Sequence, residues 1–214
     1  MTPANSPLDS PLPLTSALLS AEQMRQSMET VHRQRGDQPF WLFAYGSLIW
    51  RPECPSLEVR RARLHGYHRG LYLWSHSHRG TPERPGLVFG LDRGGSCNGF
   101  AYRLDEDELD CHLLALWRRE MIDAAYQPKW LNCRLEDGSC IDALTFVLNR
   151  QGPHFAGSLP DPVLRQVLSN ARGHFGSTRE YAEQTARALR QHAMPDRRLE
   201  ATLARCGCDV VGPT

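Results

Sequence analysis

Long hydrophobic runs are missing from this chain. Its longest uninterrupted apolar stretches fall far short of the roughly 20 residues that a membrane-spanning helix needs, so no membrane role is expected. A basic start followed by an apolar core is also missing at the N-terminus, and no secretory signal is expected. No one sign of charge prevails. Lys and Arg number 25 against 24 Asp and Glu, a formal net charge of +1, which argues against nucleic-acid binding as the main task. The chain carries no G-x-S-x-G elbow, no Walker loop and no G-x-G-x-x-G after a strand, so three common catalytic and nucleotide-binding motifs are excluded. Cysteine is present but not as a framework. Seven scattered residues, an odd number, read as the reduced thiols of a cytoplasmic protein. The length, 214 residues, suits one domain with a real core.

Residues 1–18 carry Pro3, Pro7, Pro11 and Pro13 among Ser, Thr and Asn, with little to bury, and read as a mobile tail. Regular structure is expected from Ser20. Ser20 and Gln23 have capping-box spacing, Leu19 and Met24 staple spacing, and Met24, Met28 and Val31 share a helix face that Gly36 and Pro39 terminate. Short strands follow at Phe40–Tyr45, Leu57–Leu64, Leu71–His76, Leu87–Leu91 and Asn98–Arg103. Trp130–Leu135 and Ile141–Leu148 flank Asp137-Gly138, a strong hairpin signal. One helix, Glu106–Arg119 with Asp105 as N-cap, interrupts the strands. The last third is helical: Asp161-Pro162 opens a helix that Gly173 closes, Ser177 and Glu180 form a second capping box, and a last helix follows Pro195. The expected class is α+β, a curved and largely antiparallel sheet with helices packed on it.

Three places could carry chemistry. At Tyr45-Gly46-Ser47-Leu48 a buried strand ends in a turn. Gly46 is expected at φ > 0, with consecutive N–H groups forming an anion-binding concavity; an ordinary strand-to-loop turn is the alternative. Glu120 lies about 20° from both Leu109 and Leu113 on a helical wheel, so it points inward if the helix persists that far, whereas Arg118 and Arg119 point away. Burial would disfavour its charged form and ready it as a general base; otherwise the helix ends near Trp117 and Glu120 pairs with a surface arginine. His76 and His78, one residue apart on a strand, lack a matching acidic ligand, so no metal is expected. Arg79, beside Gly80-Thr81-Pro82, is better suited to hold a carboxylate. Cys206-Gly207-Cys208 reads as a helix C-cap.

Taken together, Phe43-Ala44-Tyr45-Gly46-Ser47-Leu48-Ile49-Trp50, His78-Arg79-Gly80-Thr81-Pro82, Pro85-Gly86, Arg119-Glu120 and Gly176-Ser177 through Tyr181 resemble the ChaC-like glutathione-specific γ-glutamylcyclotransferases, in the form of their bacterial branch. The resemblance runs in order from about Ser20 to Leu189. It implies a small mixed, largely antiparallel β-barrel with flanking helices, in one domain over residues 19–208. It also implies cleavage of glutathione to 5-oxoproline and cysteinylglycine, without metal or cofactor. On that resemblance Glu120 is the acid–base residue, and Leu42, Phe43, Ala44, Tyr45, Gly46, Ser47 and Leu48 hold the γ-glutamyl group. Tyr181 lines the pocket, Arg79 takes a substrate carboxylate, and Cys54 and Cys97 have no catalytic part. The expected partner is the small-molecule substrate, with neither nucleic acid nor membrane. Cyclotransfer on other γ-glutamyl amino acids or γ-glutamylamines, or ligand binding without turnover, are the other readings.

Overall fold

The computed structural model describes residues 19–52, 55–121 and 125–208. The proline-rich segment 1–18, Cys54, Ile122 and Asp123 lie outside the described residues. Helix α1 (Ala21–Arg35) opens with the capping box expected at Ser20 and Gln23 and ends at Gly36, φ +64°. Strand β1 (Trp41–Ala44) leads through a 3₁₀ turn at Ser47–Ile49 into two long strands, β2 (Ser56–Ser75) and β3 (Gly86–Leu104). Helix α2 (Leu109–Glu120) precedes the hairpin β4 (Tyr126–Leu135) and β5 (Cys140–Leu148), which turns at Gly138, φ +88°. Helix α3 (Asp161–Asn170), the short pair β6 (Arg172–Gly173) and β7 (Gly176–Ser177), α4 (Thr178–Gln191) and α5 (Arg197–Arg205) complete the chain.

The five long strands close into a barrel in the order β1-β3-β2-β4-β5. All neighbours are antiparallel except at the closure, where β5 meets β1 and β3 in parallel. This is the mixed, largely antiparallel barrel with flanking helices that was expected. Pro128 is tolerated in β4 because β4 pairs with β2 only over Cys133–Leu135, leaving an edge where no ladder donor is missed.

The strand boundaries differ from expectation in an instructive way. Leu57–Leu64 and Leu71–His76 belong to one strand, as do Leu87–Leu91 and Asn98–Arg103. The polar, glycine-bearing stretches between them are not turns. Gly66, φ +82°, faces Gly94 and Gly95, φ +95° and +71°, between the pairs His65↔Ser96 and Tyr67↔Arg93. One residue opposes two, so the ribbon bends at a bulge and continues, as a closing barrel requires. Helix α2 starts later than expected. Asp105 accepts the Asp107 N–H (3.1 Å) and so caps a turn, while Glu108 takes the N-cap position without a side-chain cap. Gly173 does not close α3, which ends at Asn170 with Ala171 extended; Gly173 instead packs its backbone against Ser77 and Gly80, where a Cβ would find atoms within 2.6 Å. Cys206 and Gly207, φ +74°, do end α5, with the Cys208 N–H on the Leu203 carbonyl (2.9 Å).

Alternation along β1 divides the core. Trp41, Phe43 and Tyr45 join one buried cluster with Leu64, Phe89, Cys97 and Val147. Phe40, Leu42 and Ala44 join another with Val31 of α1 and Leu109, Leu113, Leu116 and Trp117 of α2. That second cluster clamps α2 onto the barrel, with Trp117 edge-on to Phe146 at 5.5 Å. The end of α2 is thereby fixed against the loop that follows β1.

Candidate active site

A cavity of about 430 Å³ opens where the end of β1, the end of β2, the end of α2 and the start of α4 meet. Phe43, Ala44, Tyr45, Gly46, Ser47 and Leu48 all line it; Leu42 does not, and packs earlier along β1 in the α2-facing cluster. Gly46 also departs from expectation. Its φ is −123°, so no left-handed conformation is used there. Space is tight there instead: a Cβ at Gly46 would stand 3.2 Å from the Tyr181 hydroxyl. Among the described residues, the N–H groups of Gly46, Ser47 and Leu48 donate to no protein acceptor, as at the open start of a helical turn. Gly46→Val should cost about 1–3 kcal/mol through overpacking against Tyr181. It should also lower turnover by about 10²-fold through displacement of the loop. Thermal melting and turnover assays together check this.

Helix α2 persists to Glu120, and the inward direction expected from the helical wheel holds. Its side chain is 17% exposed and faces the cavity. Part of the alternative holds as well, since Glu120 Oε1 lies 3.1 Å from Arg119 Nε, but inside the cavity wall rather than at the surface. Arg119 does not point away. Its Nη2 donates to Ser47 Oγ at 2.6 Å, tying the helix end to the 3₁₀ turn. Arg119 is three residues past Leu116, about 60° around the helix, and a guanidinium stem is long enough to cross that angle. Among the described residues Glu120 is the only carboxylate that lines the cavity.

Tyrosine hydroxyls form the opposite wall. Tyr45 Oη donates to the Phe146 carbonyl (2.8 Å), Tyr126 Oη donates to the Phe89 carbonyl (2.7 Å), and Tyr181 Oη accepts the Phe89 N–H (3.4 Å). Burial, reinforced by the charge of Glu120, holds the Tyr45 phenol well above its ordinary pKa and pushes that of Tyr181 up to about 12. Both remain neutral at physiological pH and act as dipoles, not bases. Burial likewise pushes the Cys97 thiol up to about 11 and Cys133 to about 12, which leaves neither as a ready nucleophile.

Arg79 follows β2 and reaches back over the cavity. Its guanidinium stacks on the Tyr181 ring, 4.8 Å from the centroid, and Nη1 donates to the Phe175 carbonyl. Desolvation lowers its pKa, which makes the site receptive to a compensating anion. The Gly80–Pro85 loop beside it folds back on itself: a Cβ at Gly80 would meet the Gly86 nitrogen at 2.0 Å. Thr178 pins this loop to α4 by accepting the Leu87 N–H (2.9 Å). Ser177 and Glu180 form the expected capping box, and one turn later Tyr181 points into the cavity. His76 and His78 sit past the end of β2 on a bend, not within a strand. His76 is 5.6 Å from the His154 ring and His78 stacks on Phe175. No group of three or more potential metal ligands occurs among the described residues. Sequence reasoning missed Trp50, Arg51, Tyr126, His154 and Phe175, which reach the cavity from four separate segments.

Residues 40–206 match the family model described as ChaC-like protein. The chain belongs to the ChaC-like family. It is 35% identical over 182 residues to the glutathione-specific γ-glutamylcyclotransferase of Escherichia coli, covering 85% of this chain and 79% of that protein. It is 31% identical over 154 residues to the human glutathione-specific γ-glutamylcyclotransferase 1, covering 70% and 69% of the two. Among solved structures, a yeast γ-glutamyl cyclotransferase described as specific to glutathione superposes with a TM-score of 0.73. It is 20% identical and covers 80% of this chain and 96% of that one. At that identity the superposition speaks for the fold, which is the γ-glutamylcyclotransferase-like barrel. No described helix of this ChaC-like protein is long and apolar enough to cross a membrane.

Proposed function

We propose that this protein is a glutathione-specific γ-glutamylcyclotransferase, a lyase that releases 5-oxoproline and cysteinylglycine. The observation that carries the reading is the carboxylate of Glu120, the only one among the described residues that line the cavity, which shares that cavity with arginines, neutral phenols and the Gly46–Leu48 turn. The family's bacterial and human relatives bear that activity in their names.

The reaction is intramolecular. The α-amine of the γ-glutamyl group attacks its own γ-carbonyl carbon, a C–N bond forms in a five-membered lactam, and the bond to the cysteine nitrogen breaks. Atoms balance without water. Because both reacting groups belong to one molecule, the enzyme gains most by folding the substrate into a near-attack shape. The amine must lose a proton and the departing nitrogen must gain one. Glu120 serves both steps in turn, as base and then as acid. Arg119 holds that carboxylate against Ser47 and keeps it beside the loop. The N–H groups of Gly46, Ser47 and Leu48 are placed to receive the oxyanion that forms at the γ-carbonyl. Arg79 takes the α-carboxylate of the γ-glutamyl group, and Tyr45 and Tyr181 close the wall behind it. The six described free cysteines suit a reducing compartment, and we place the reaction in the cytoplasm, where its substrate is kept as the thiol.

Purified protein incubated with glutathione should produce equimolar cysteinylglycine and 5-oxoproline, detected by mass spectrometry. γ-Glutamylalanine and a γ-glutamylamine in parallel reactions should turn over far more slowly. Turnover of those compounds in preference to glutathione would replace the glutathione assignment, and binding without product would remove the enzymatic one.

A further inference from the structure

The fold buries one positive charge that the chemistry above does not use. Arg69 lies in β2 with its side chain 0% exposed, and among the described residues no other Lys or Arg is buried. Its guanidinium is held on three sides. Nε donates to Oδ2 of Asp196 (3.1 Å), the N-cap of α5. Nη2 donates to the Asn98 carbonyl of β3 (2.8 Å), and Nη1 donates to the Tyr45 carbonyl just past β1. Stability alone does not account for such a pair, because packed apolar side chains of the same volume serve a core as well or better. The Tyr45 carbonyl is the informative partner. It belongs to the peptide unit that carries the Gly46 N–H, and no peptide bond among the described residues is cis. In a planar trans unit the N–H points opposite to the C=O. Arg69 therefore holds this unit from behind, and the Gly46 N–H is directed away from the guanidinium, on a residue that lines the cavity.

Two electrostatic effects follow. A charge-assisted hydrogen bond at a carbonyl polarises its amide and makes the N–H on the other side a stronger donor. The positive charge itself also stands behind that N–H, in a buried wall where it is screened less than in water. Asp196 works against both. Burial pushes the nearby Cys97 thiol up, Arg69 pulls it down, and Asp196 adds to the rise. The same opposed pair acts on the Tyr45–Gly46 peptide, with Arg69 in direct contact and Asp196 on the guanidinium's far side.

We infer that Arg69 is a positioning residue for the reaction: it fixes and polarises the Tyr45–Gly46 peptide so that the Gly46 N–H binds the oxyanion formed at the γ-carbonyl. This rests on the cyclotransferase reading and adds to it the buried charge behind the donor. The oxyanion exists only around the transition state, so the effect appears in kcat and hardly in KM.

The test measures kcat and KM on glutathione for wild type, Arg69→Met, Arg69→Lys, Asp196→Asn and Leu199→Ala, at a temperature where circular dichroism shows each one folded. Removing a whole oxyanion donor costs about 10²–10³-fold. Here the donor stays and its polarisation goes, so Arg69→Met should lower kcat about tenfold with KM within about twofold. Arg69→Lys keeps a charge at that place and should recover most of the loss. Asp196→Asn still caps α5 but removes the opposing charge, so kcat should equal or exceed the wild type's although the melting temperature falls. Leu199→Ala empties a buried position on α5 without touching the guanidinium; it should melt lower and keep kcat within about twofold of wild type. A guanidinium that only braced the fold would give the opposite pattern, with kcat falling in Asp196→Asn and Leu199→Ala in step with the melting temperature. That pattern, an unchanged kcat in Arg69→Met, or equal losses in Arg69→Met and Arg69→Lys would overturn the inference and leave the cyclotransferase reading standing. Where Arg69→Met does not fold, the signs for Asp196→Asn and Leu199→Ala decide. No 5-oxoproline from the wild type would remove both.

Discussion

Glu120→Gln should abolish most turnover while leaving a folded protein that still binds glutathione. The amide keeps the size of the carboxylate, and the packing of Leu109, Leu113, Leu116 and Trp117 that holds α2 is untouched. Arg119 retains its bond to Ser47 Oγ, so the loop after β1 stays tied to the helix end. The melting temperature should therefore move by no more than a few degrees. Chemistry is a different matter. An amide accepts no proton from the α-amine at any useful pH and returns none to the leaving nitrogen. General acid–base catalysis contributes roughly 10²–10⁴-fold, and here two transfers rest on one group, so turnover should fall by at least about that factor. Calorimetry on the variant should show affinity for glutathione close to the wild type's, since Arg79 and the loop amides are unchanged. A folded variant with normal 5-oxoproline output would return Glu120 to the role of an ion-pair partner for Arg119.

The second large effect is expected on stability, at Arg69→Met. The Arg69 side chain is 0% exposed, an expensive place for a charge unless every donor is used. Here Nε meets Asp196 Oδ2 at 3.1 Å, Nη2 donates to the Asn98 carbonyl at 2.8 Å, and Nη1 donates to the Tyr45 carbonyl. One side chain thus joins β2 to β3, to the end of β1 and to the N-cap of α5, where Asp196 also accepts the Leu199 N–H (3.0 Å). Methionine fills the volume but leaves a carboxylate and two carbonyls without that donor. Breaking such a pair from one side costs about 3–5 kcal/mol, which for a chain of this size lowers the melting temperature by roughly 6–20 °C. Because the Tyr45 carbonyl precedes the Gly46 N–H in the same peptide unit, turnover of the folded fraction should fall as well. Asp196→Asn keeps an acceptor for the helix cap and should cost distinctly less. Equal melting temperatures for Arg69→Met and wild type would show that the buried guanidinium is replaceable by apolar packing.

What was legible in the sequence depended on how far apart the cooperating residues lie. The boxes at Ser20 with Gln23 and Ser177 with Glu180 join residues three positions apart, and the structure forms both. The turn at Asp137-Gly138 and the C-cap at Gly207 are equally local. The inward direction of Glu120 followed from helical periodicity alone, provided that α2 reached it. The motif at Gly46 was visible, but its surroundings were not: a Cβ there would stand 3.2 Å from the hydroxyl of Tyr181, far along the chain, and only the fold brings the two together. The breaks expected within β2 and β3 were signals of bending, which only the partner strand distinguishes from turning.

The sequence by itself determined the capping boxes at Ser20 and Ser177, the hairpin, the class and the inward face of Glu120, since these follow from propensity and periodicity over a few residues. Only the tertiary structure decided that Arg119 turns toward Ser47, 72 residues away, and that Arg69 joins partners 24, 29 and 127 residues away. It also decided that the Arg51 guanidinium lies over the Phe175 ring, 5.7 Å from its centroid. The physical reason is that a charged side chain carries no periodic signature. Its partner is whichever acceptor the closed barrel brings within about 3 Å, and barrel closure is a property of the whole chain.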